Sequence, residues 1–248
     1  MRVRASIVPG FFTMANMFCG YLAVLQVFRD RLTTAAWLII AAGVLDTLDG
    51  KLARLTKSAS PFGVQYDSLA DVISFGFAPS VLAYVVFFQS WGNIGLFFSF
   101  LPLVFGAIRL ARFNVRLKGF DKSFFEGLPI PVAAVTIASF VIFNFYFWDV
   151  LRWKKVFFLL VLLVSLLMIS TIRYETMPNF KLQSDPANRI KILLVLVGGL
   201  LIVLFPHETF FPLAILYVLS GPVRVLWPVF FPQTAKDKHR EQGDTPKQ

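Results

Sequence analysis

The sequence predicts an all-α protein, a polytopic membrane helical bundle of about eight transmembrane helices. The first observation is composition: of 248 residues, 57% are hydrophobic and only 15% are charged, whereas soluble domains carry about 25% charged residues. The second is patterning, because almost the whole stretch from residue 7 to residue 231 divides into apolar runs of about 20 residues, the length that crosses a bilayer. The third is that charged or Pro/Gly-containing breaks separate these runs.

The apolar runs give the predicted spans in order. They cover residues 9–28, 33–55, 66–89, 93–112, 129–149, 155–172, 189–206 and 209–231. The first follows a short basic lead-in, Met1–Ser6, and no small-residue cleavage site follows it, so we expect a retained span and not a signal peptide. Pro129 and Pro131 fix the start of the fifth. The last two are joined by Pro206, His207 and Glu208, which indicates a tight helical hairpin.

These spans form one predicted membrane domain over residues 1–232. The polar segment 233–248 lacks apolar periodicity and is predicted to be a disordered tail. An even number of spans puts both termini on one side. With the termini in the cytosol, all but five of the 24 basic residues fall on the cytosolic side. The five are Arg29, Arg31, Arg152, Lys154 and Lys155. The positive-inside rule therefore predicts an integral protein of the cytoplasmic membrane with cytosolic termini.

Composition also excludes several kinds of site. A single cysteine, Cys19, rules out an intramolecular disulfide and a cysteine metal cluster. Two separated histidines, His207 and His239, are too few for a zinc site, so any metal must be held by oxygen. The net charge of +10 is distributed between apolar runs. This pattern favours membrane orientation and contact with anionic lipids over nucleic-acid binding.

The second and third spans carry the polar residues that indicate chemistry. Five residues of the second span, at helical positions i, i+3, i+4, i+7 and i+8, share one face and include two acids. They are Asp46, Asp49, Gly50, Ala53 and Arg54. The third span carries Asp67 and Asp71 at i and i+4, with Gly63 one turn earlier. Both acidic pairs lie near the cytosolic ends of their spans, so two antiparallel neighbours can bring four carboxylates together.

Four carboxylates inside a bilayer need counter-charge, since each costs about 2.5 to 3.5 kcal/mol on insertion scales. Lys51 and Arg54 can supply part of it. An all-oxygen cluster of this density favours Mg²⁺, Mn²⁺ or Ca²⁺, and two ions about 3.5 to 4 Å apart would suit phosphoryl transfer. The alternative is a set of interfacial acids paired with Lys51, Arg54 and Lys57 only to allow insertion.

The spacing of these residues resembles the signature of the CDP-alcohol phosphatidyltransferase family, D-x2-D-G-x2-A-R-x8-G-x3-D-x3-D, at every position from Asp46 to Asp71. Three further segments are similar to the phosphatidylserine synthase branch of that family. They are Thr13–Gly20 (TMANMFCG), Arg109–Asn114 (RLARFN) and Gly127–Pro131 (GLPIP). The resemblance implies the family's six-helix core with two added helices.

The resemblance also implies an activity, the transfer of the phosphatidyl group of CDP-diacylglycerol to L-serine with release of CMP. Metal ligands would be Asp46, Asp49 and Asp67, and Asp71 would be both a metal ligand and the catalytic general base. Membrane lipids and a second copy of the chain, in a homodimer, are the other implied partners. The active site would face the cytosol.

A nucleotide site is expected beside the acids. Gly50 and Ala53 interleave with the carboxylates, which suits a ligand that approaches the helix backbone closely, although packing between helices is the alternative. The residues expected to contact CDP are Asp49, Gly50, Ala53, Arg54 and Gly63.

The acceptor amino acid needs groups that recognise its carboxylate and its ammonium. Arg109 and Arg112, three residues apart, could form a fork for the carboxylate, and Asn114 could add a polar contact. Membrane anchoring or binding of a lipid phosphate is the alternative for these arginines. Glu126 could meet the ammonium or an arginine of a neighbouring loop.

Three other functions remain open. A member of the same family could use glycerol 3-phosphate or inositol phosphate as its acceptor. Intramembrane acids also build transport pathways for cations or solutes, but those sites usually lie near the midplane between repeated halves. An inactive scaffold could retain the acids only for packing.

Overall fold

The fold is described from a computed structural model, over residues 2–55, 60–116, 125–174 and 186–230. Several predicted features lie outside these residues, namely Lys57 in the connector after the second span and the tail at 233–248. The side chains of Ala53 and Arg54 also lie outside what is described. The proposed domain limit at residue 232 and the disorder of the tail therefore stay predictions.

The described chain is almost entirely helical. In order, its helices are α1 (Arg2–Phe28), α2 (Leu32–Leu55), α3 (Pro61–Asp71), a π-helical segment (Val72–Phe77), α4 (Ala78–Val86), a 3₁₀ turn (Phe88–Trp91), α5 (Gly92–Arg116), α6 (Ile130–Trp148), α7 (Lys154–Ile169), α8 (Pro186–Leu204) and α9 (Pro206–Phe230). Helix α3, the π-helical segment and α4 follow one another without a break. Counted as one rod, they give eight helices, at the positions of the eight predicted spans.

Six of these rods are long and apolar enough to cross a membrane. They are Gly10–Phe28, Leu32–Leu52, Pro61–Val86, Phe88–Val115, Ile130–Trp148 and Pro206–Trp227. Helix α7 has only 16 residues, and the apolar part of α8 spans Ile192–Leu204. Both are shorter than the roughly 20 residues that a bilayer requires. The protein is an integral membrane protein, and the count of eight crossings stays a prediction.

The third rod begins earlier than the predicted residue 66. Ser60 is its N-cap, and the Ser60 hydroxyl accepts a hydrogen bond of 3.0 Å from the Gly63 N–H. Pro61 occupies the first turn, where its missing N–H costs nothing. The early start adds about one and a half turns at the end that carries the acids.

A two-residue antiparallel pair departs from the all-α prediction. Strand β1 (Phe125–Glu126) pairs with β2 (Arg173–Tyr174), with Phe125 opposite Tyr174. Gly127 follows at a φ of 76°, which favours glycine, and its N–H donates to the Ile172 carbonyl at 2.9 Å. This left-handed turn brings the segment before α6 against the segment after α7.

Helix α6 lies at the centre of the bundle, packed against α2, α7 and α9. Its buried face carries small residues, among them Ala133, Ala134 and Ala138, which let neighbouring helices approach closely. In contrast, most of the large residues along α8 are exposed. The site therefore rests on the helices around α6 and not on α8.

Candidate active site

Carboxylates from two helices converge between the second half of α2 and the second half of α3. One carboxylate oxygen from each of Asp46, Asp49 and Asp67 lies within 4.8 Å of the other two. Asp49 is buried, and the other two are half-buried. Helical spacing directs each pair to one side of its helix, and these two sides face each other.

Asp71 lies one turn beyond Asp67 and is 7% exposed. Its carboxyl group lies beside that of Asp46. The fourth acid is thus adjacent to the converging three and, like Asp49, is buried. The structure places all four predicted acids in one cluster, which we call the acid cluster.

Helix α1 supplies two polar side chains that hold these acids. The Thr13 hydroxyl donates to Asp49 Oδ2 at 3.0 Å, and Asn16 Nδ2 donates to Asp71 Oδ1 at 3.5 Å. Thr13 and Asn16 are themselves buried. Sequence reasoning gave them no role, although they are polar residues at i and i+3 within an apolar span, which is a signal for a shared inward face.

The π-helical segment begins directly after Asp71 and packs against α1. The Ser74 hydroxyl donates to the Asn16 carbonyl at 2.9 Å. This close approach depends on Gly20, since a Cβ added there would lie 2.5 Å from Ser74 Oγ and 2.7 Å from Ser74 Cα. π-helical turns are rare and occur frequently at functional sites. Here the turn sets the position of Asp71 relative to Asn16.

The predicted nucleotide face is open at one of its glycines and packed at another. A Cβ built on Gly50 would meet no atom within 4 Å, so space remains beside α2 next to Asp49. At Gly63 an added Cβ would lie 3.2 Å from Ser60 Oγ. Gly63 therefore has a visible role in the helix cap, whereas Gly50 borders open space. Lys51, expected to neutralise the acids, is exposed.

The three residues expected to bind the acceptor have different surroundings. Arg109 is 8% exposed, lies within electrostatic range of Asp71, and its Nε has no hydrogen-bond partner. Arg112 instead donates from Nη1 to the Ile169 carbonyl at 3.0 Å, at the end of α7. The structure thus places Arg109 beside the acid cluster and gives Arg112 a helix-capping contact.

Asn114 is also engaged by the protein. Its Nδ2 donates to Ser68 Oγ at 2.9 Å, next to Asp67 in the chain. Its Oδ1 is buried without a partner. Glu126, the other acceptor candidate, lies opposite Arg173 in the strand pair and is exposed.

Comparison with known proteins bears on what this geometry does. The model of the CDP-alcohol phosphatidyltransferase family matches residues 6–164. The chain belongs to this family. The chain is therefore a transferase, and the acid cluster lies within the matched residues.

Individual relatives cover most of the chain. It is 40% identical over 220 residues to the CDP-diacylglycerol--serine O-phosphatidyltransferase of Helicobacter pylori, covering 88% of this chain and 91% of the relative. It is 42% identical over 168 residues to the archaetidylserine synthase of Methanothermobacter thermautotrophicus, covering 67% of this chain and 68% of the relative. It shares 28% identity over 255 residues with the CDP-diacylglycerol--serine O-phosphatidyltransferase of Mycobacterium leprae, covering 98% of this chain and 83% of the relative.

The acid cluster of this family member has the chemistry of a divalent-metal site. Three carboxylate oxygens converge, and Asp67 Oδ1 is buried without a hydrogen-bond partner. Hard divalent cations prefer an all-oxygen donor set of this kind. Without a cation, carboxylates this close in a low-dielectric setting repel one another strongly. The residues present therefore fit a divalent metal.

Proposed function

We propose that this protein transfers the phosphatidyl group of CDP-diacylglycerol to the hydroxyl of L-serine, forming phosphatidylserine and CMP. The observation that carries the transferase chemistry is the convergence of Asp46, Asp49 and Asp67 within 4.8 Å. The choice of serine is supported by the activities of relatives that align over most of the chain. Membrane lipids are further proposed partners, because six of the described helices are long and apolar enough to cross a bilayer.

Asp46, Asp49 and Asp67 would hold Mg²⁺ or Mn²⁺, with Ca²⁺ as a further candidate, and Asp71 would complete a site for two ions. Ions bound there would neutralise the charge of the diphosphate and of the departing CMP. The protein's part is to fix the carboxylates: α2 and α3 set their separation, and Thr13 orients Asp49 by a direct hydrogen bond. Such supporting contacts orient metal ligands.

Asp71 is the proposed general base. Its carboxylate accepts the proton of the serine hydroxyl while the serine Oγ attacks the β-phosphorus of CDP-diacylglycerol. The bond from that phosphorus to the bridging diphosphate oxygen breaks, and CMP leaves with the bonding electron pair. Asn16 donates to one oxygen of Asp71, Oδ1. This contact orients the carboxylate.

The nucleotide would lie along the open face of α2. Asp49 and Gly50 are the contacts supported by position, because the space beside Gly50 adjoins the acid cluster. Ala53, Arg54 and Gly63 complete the proposed CDP site. On the acceptor side, Arg109 is the residue best placed for the serine carboxylate, with Arg112 and Asn114 as outer contacts whose side chains also bind the protein.

Orientation follows from charge. We propose that both termini and the acid cluster face the cytosol, because basic residues concentrate at that end of the predicted spans. The homodimer implied by family resemblance stays a prediction.

The test is CMP release by purified protein in detergent-lipid micelles. CDP-diacylglycerol is supplied with L-serine, glycerol 3-phosphate or inositol phosphate, each with Mg²⁺, Mn²⁺ or chelator. We expect metal-dependent CMP release with serine. Release only with another acceptor would overturn the serine assignment, and cation flux in proteoliposomes without CMP release would overturn the transferase assignment.

Asp71→Asn tests the base. Removing a positioned general base typically costs about 10² to 10⁴ in rate, so turnover should fall by that range while CDP-diacylglycerol still binds. Asp149→Asn is the matched control. Asp149 ends α6 at a φ of 54°, a conformation that asparagine also tolerates, so the same charge loss there should leave turnover unchanged. Full activity of Asp71→Asn would remove it from the mechanism.

A further inference from the structure

Helix α9 reaches the acceptor side of the site although it lies beyond residues 6–164, the part matched by the family model. Its Tyr217 lies within electrostatic range of Arg109, and Arg109 in turn lies within range of Asp71. The Tyr217 ring also packs against Tyr174, with ring centroids 5.7 Å apart. Tyr217, Arg109 and Asp71, the proposed general base, are therefore successive neighbours.

Tyr174 fixes α9 in this position. It is almost fully buried, and its hydroxyl donates to the Val218 carbonyl at 3.0 Å, one residue beyond Tyr217. Its ring lies directly on the α9 backbone at Gly221, where an added Cβ would come within 2.5 Å of Tyr174 Cζ. Strand pairing places Tyr174 opposite Phe125, just before α6. Tyr217 is thus held by a chain of specific contacts.

Arg109 has a buried hydrogen-bond donor that lacks an acceptor. A guanidinium offers five N–H donors, and burying it without partners is costly. Arg109 is more than nine-tenths buried, yet its Nε has no hydrogen-bond partner. A small anion beside Arg109 would satisfy that donor, and the Tyr217 hydroxyl is the nearby neutral donor that could share the anion.

We infer that Tyr217 is a specificity-determining residue, which together with Arg109 binds the carboxylate of the acceptor amino acid, and that Tyr174 is the positioning residue that docks it. This inference rests on the proposed serine transferase activity. Helix α9, which lies outside the part of the chain matched by the family model, would then select an acceptor bearing a carboxylate over a neutral alcohol.

The experiment compares Tyr217→Phe with wild type in the CMP-release assay. Phenylalanine keeps the ring that packs on Tyr174 and removes only the hydroxyl. Loss of one hydrogen bond to a charged group should raise the KM for L-serine about tenfold. The kcat, the KM for CDP-diacylglycerol and the inhibition constant of serinol, which lacks the carboxylate, should each change less than about twofold. Tyr21→Phe, at an exposed tyrosine of α1, is the matched control and should behave as wild type.

The possible results separate the two proposals. If wild type uses serine but Tyr217→Phe leaves the KM for serine unchanged, the role of Tyr217 is wrong and the serine activity stands. Equal changes for serine and serinol would also overturn it, since they would show a general deformation. Wild-type protein that releases no CMP with serine would overturn the proposed function, and the role of Tyr217 with it.

Discussion

Buried asparagines occur in two regions of the bundle, and their surroundings differ. Asn144, near the end of α6, donates from Nδ2 to the Phe140 carbonyl at 3.0 Å and accepts from the Trp153 N–H at 3.4 Å. Asn16, in the acid cluster, donates to Asp71, but its Oδ1 is buried with no partner. One asparagine is satisfied by the protein alone, and the other is not.

The same difference extends to the groups around each asparagine. Near Asn144, His207 stacks on Tyr146 with ring centroids 4.7 Å apart and meets the edge of Trp37 at 5.3 Å. These contacts join α9 to α6 and α2. Around the acid cluster, in contrast, unsatisfied buried atoms accumulate. Among the described residues, four of the six belong to Asn16, Asp67, Arg109 and Asn114.

An unsatisfied buried polar group costs about 1 to 3 kcal/mol. A single one can be tolerated anywhere, but four around one group of carboxylates indicate a place that a ligand completes. We therefore read the region around Asn144, which we call the aromatic end, as structural. The acid cluster, with its unsatisfied groups, matches the binding site proposed above.

The largest expected effect is loss of a carboxylate from the acid cluster. Asp49→Asn keeps the shape and the contact with Thr13 but removes the charge that a divalent ion requires. We expect turnover to fall at least about a hundredfold. Mg²⁺ titration of CMP release measures this. Glu208→Gln is the control, because Glu208 follows His207 in the first turn of α9 at the aromatic end. It should retain full turnover, and a similar loss there would break the contrast between the two regions.

The next effect concerns how α1 supports Asp71. Gly20→Ala would place a Cβ 2.7 Å from the Ser74 Cα, so α1 must move away from the π-helical segment. Because displacements of about 1 Å can cost about a hundredfold in rate, we expect turnover to fall ten- to a hundredfold.

Gly10→Ala on the same helix is the matched control. An added Cβ at Gly10 meets nothing within 4 Å, so this variant should keep wild-type turnover. Equal activity of Gly20→Ala and Gly10→Ala would show that the contact between Asn16 and Ser74 does not position Asp71, the proposed general base.

The helical positions were predictable because each depends on local information. Apolar runs locate all eight rods, and the pattern of Asp46, Asp49, Asp67 and Asp71 locates the acid cluster. The early start of α3 was also readable, since Ser60 followed by Pro61 is a helix N-terminal signal. The predicted start at residue 66 counted only the apolar residues.

Other parts of the site depend on contacts between distant residues. Thr13 lies 36 residues from Asp49, and Asn16 lies 55 residues from Asp71. Helical spacing shows which residues share a face, but not which other helix that face meets. For the same reason the strand pair and the approach of Tyr217 to Arg109 could not be predicted. They depend on tertiary packing of α6, α7 and α9.

A smaller effect separates stability from activity. Asn144→Ala removes two hydrogen bonds from a satisfied group and should lower the free energy of unfolding by about 1 to 3 kcal/mol with little change in kcat. Asn16→Ala removes a group already lacking one partner, so its cost in stability should be smaller while kcat falls about tenfold.

Thermal unfolding and CMP release, measured on both variants, check this pair. The contrast would fail if Asn16→Ala were the less stable protein, or if Asn144→Ala were the less active one.

The smallest effect tests Tyr174, a satisfied group that packs against α9. Burial, and then the neighbouring Tyr217 phenol, raise the pKa of Tyr174 to about 12, whereas an unfolded tyrosine ionises near about 10. Because the folded pKa is the higher one, the contribution of Tyr174 to stability is complete below about pH 10 and is lost as the pH rises toward 12. Unfolding measured from pH 8 upward should show this loss in wild type and a smaller loss in Tyr174→Phe, with Tyr21→Phe matching wild type. An identical pH dependence in all three proteins would mean that the Tyr174 hydroxyl does not hold α9. In that case, having its hydrogen bonds satisfied would not distinguish a structural group from a functional one in this protein.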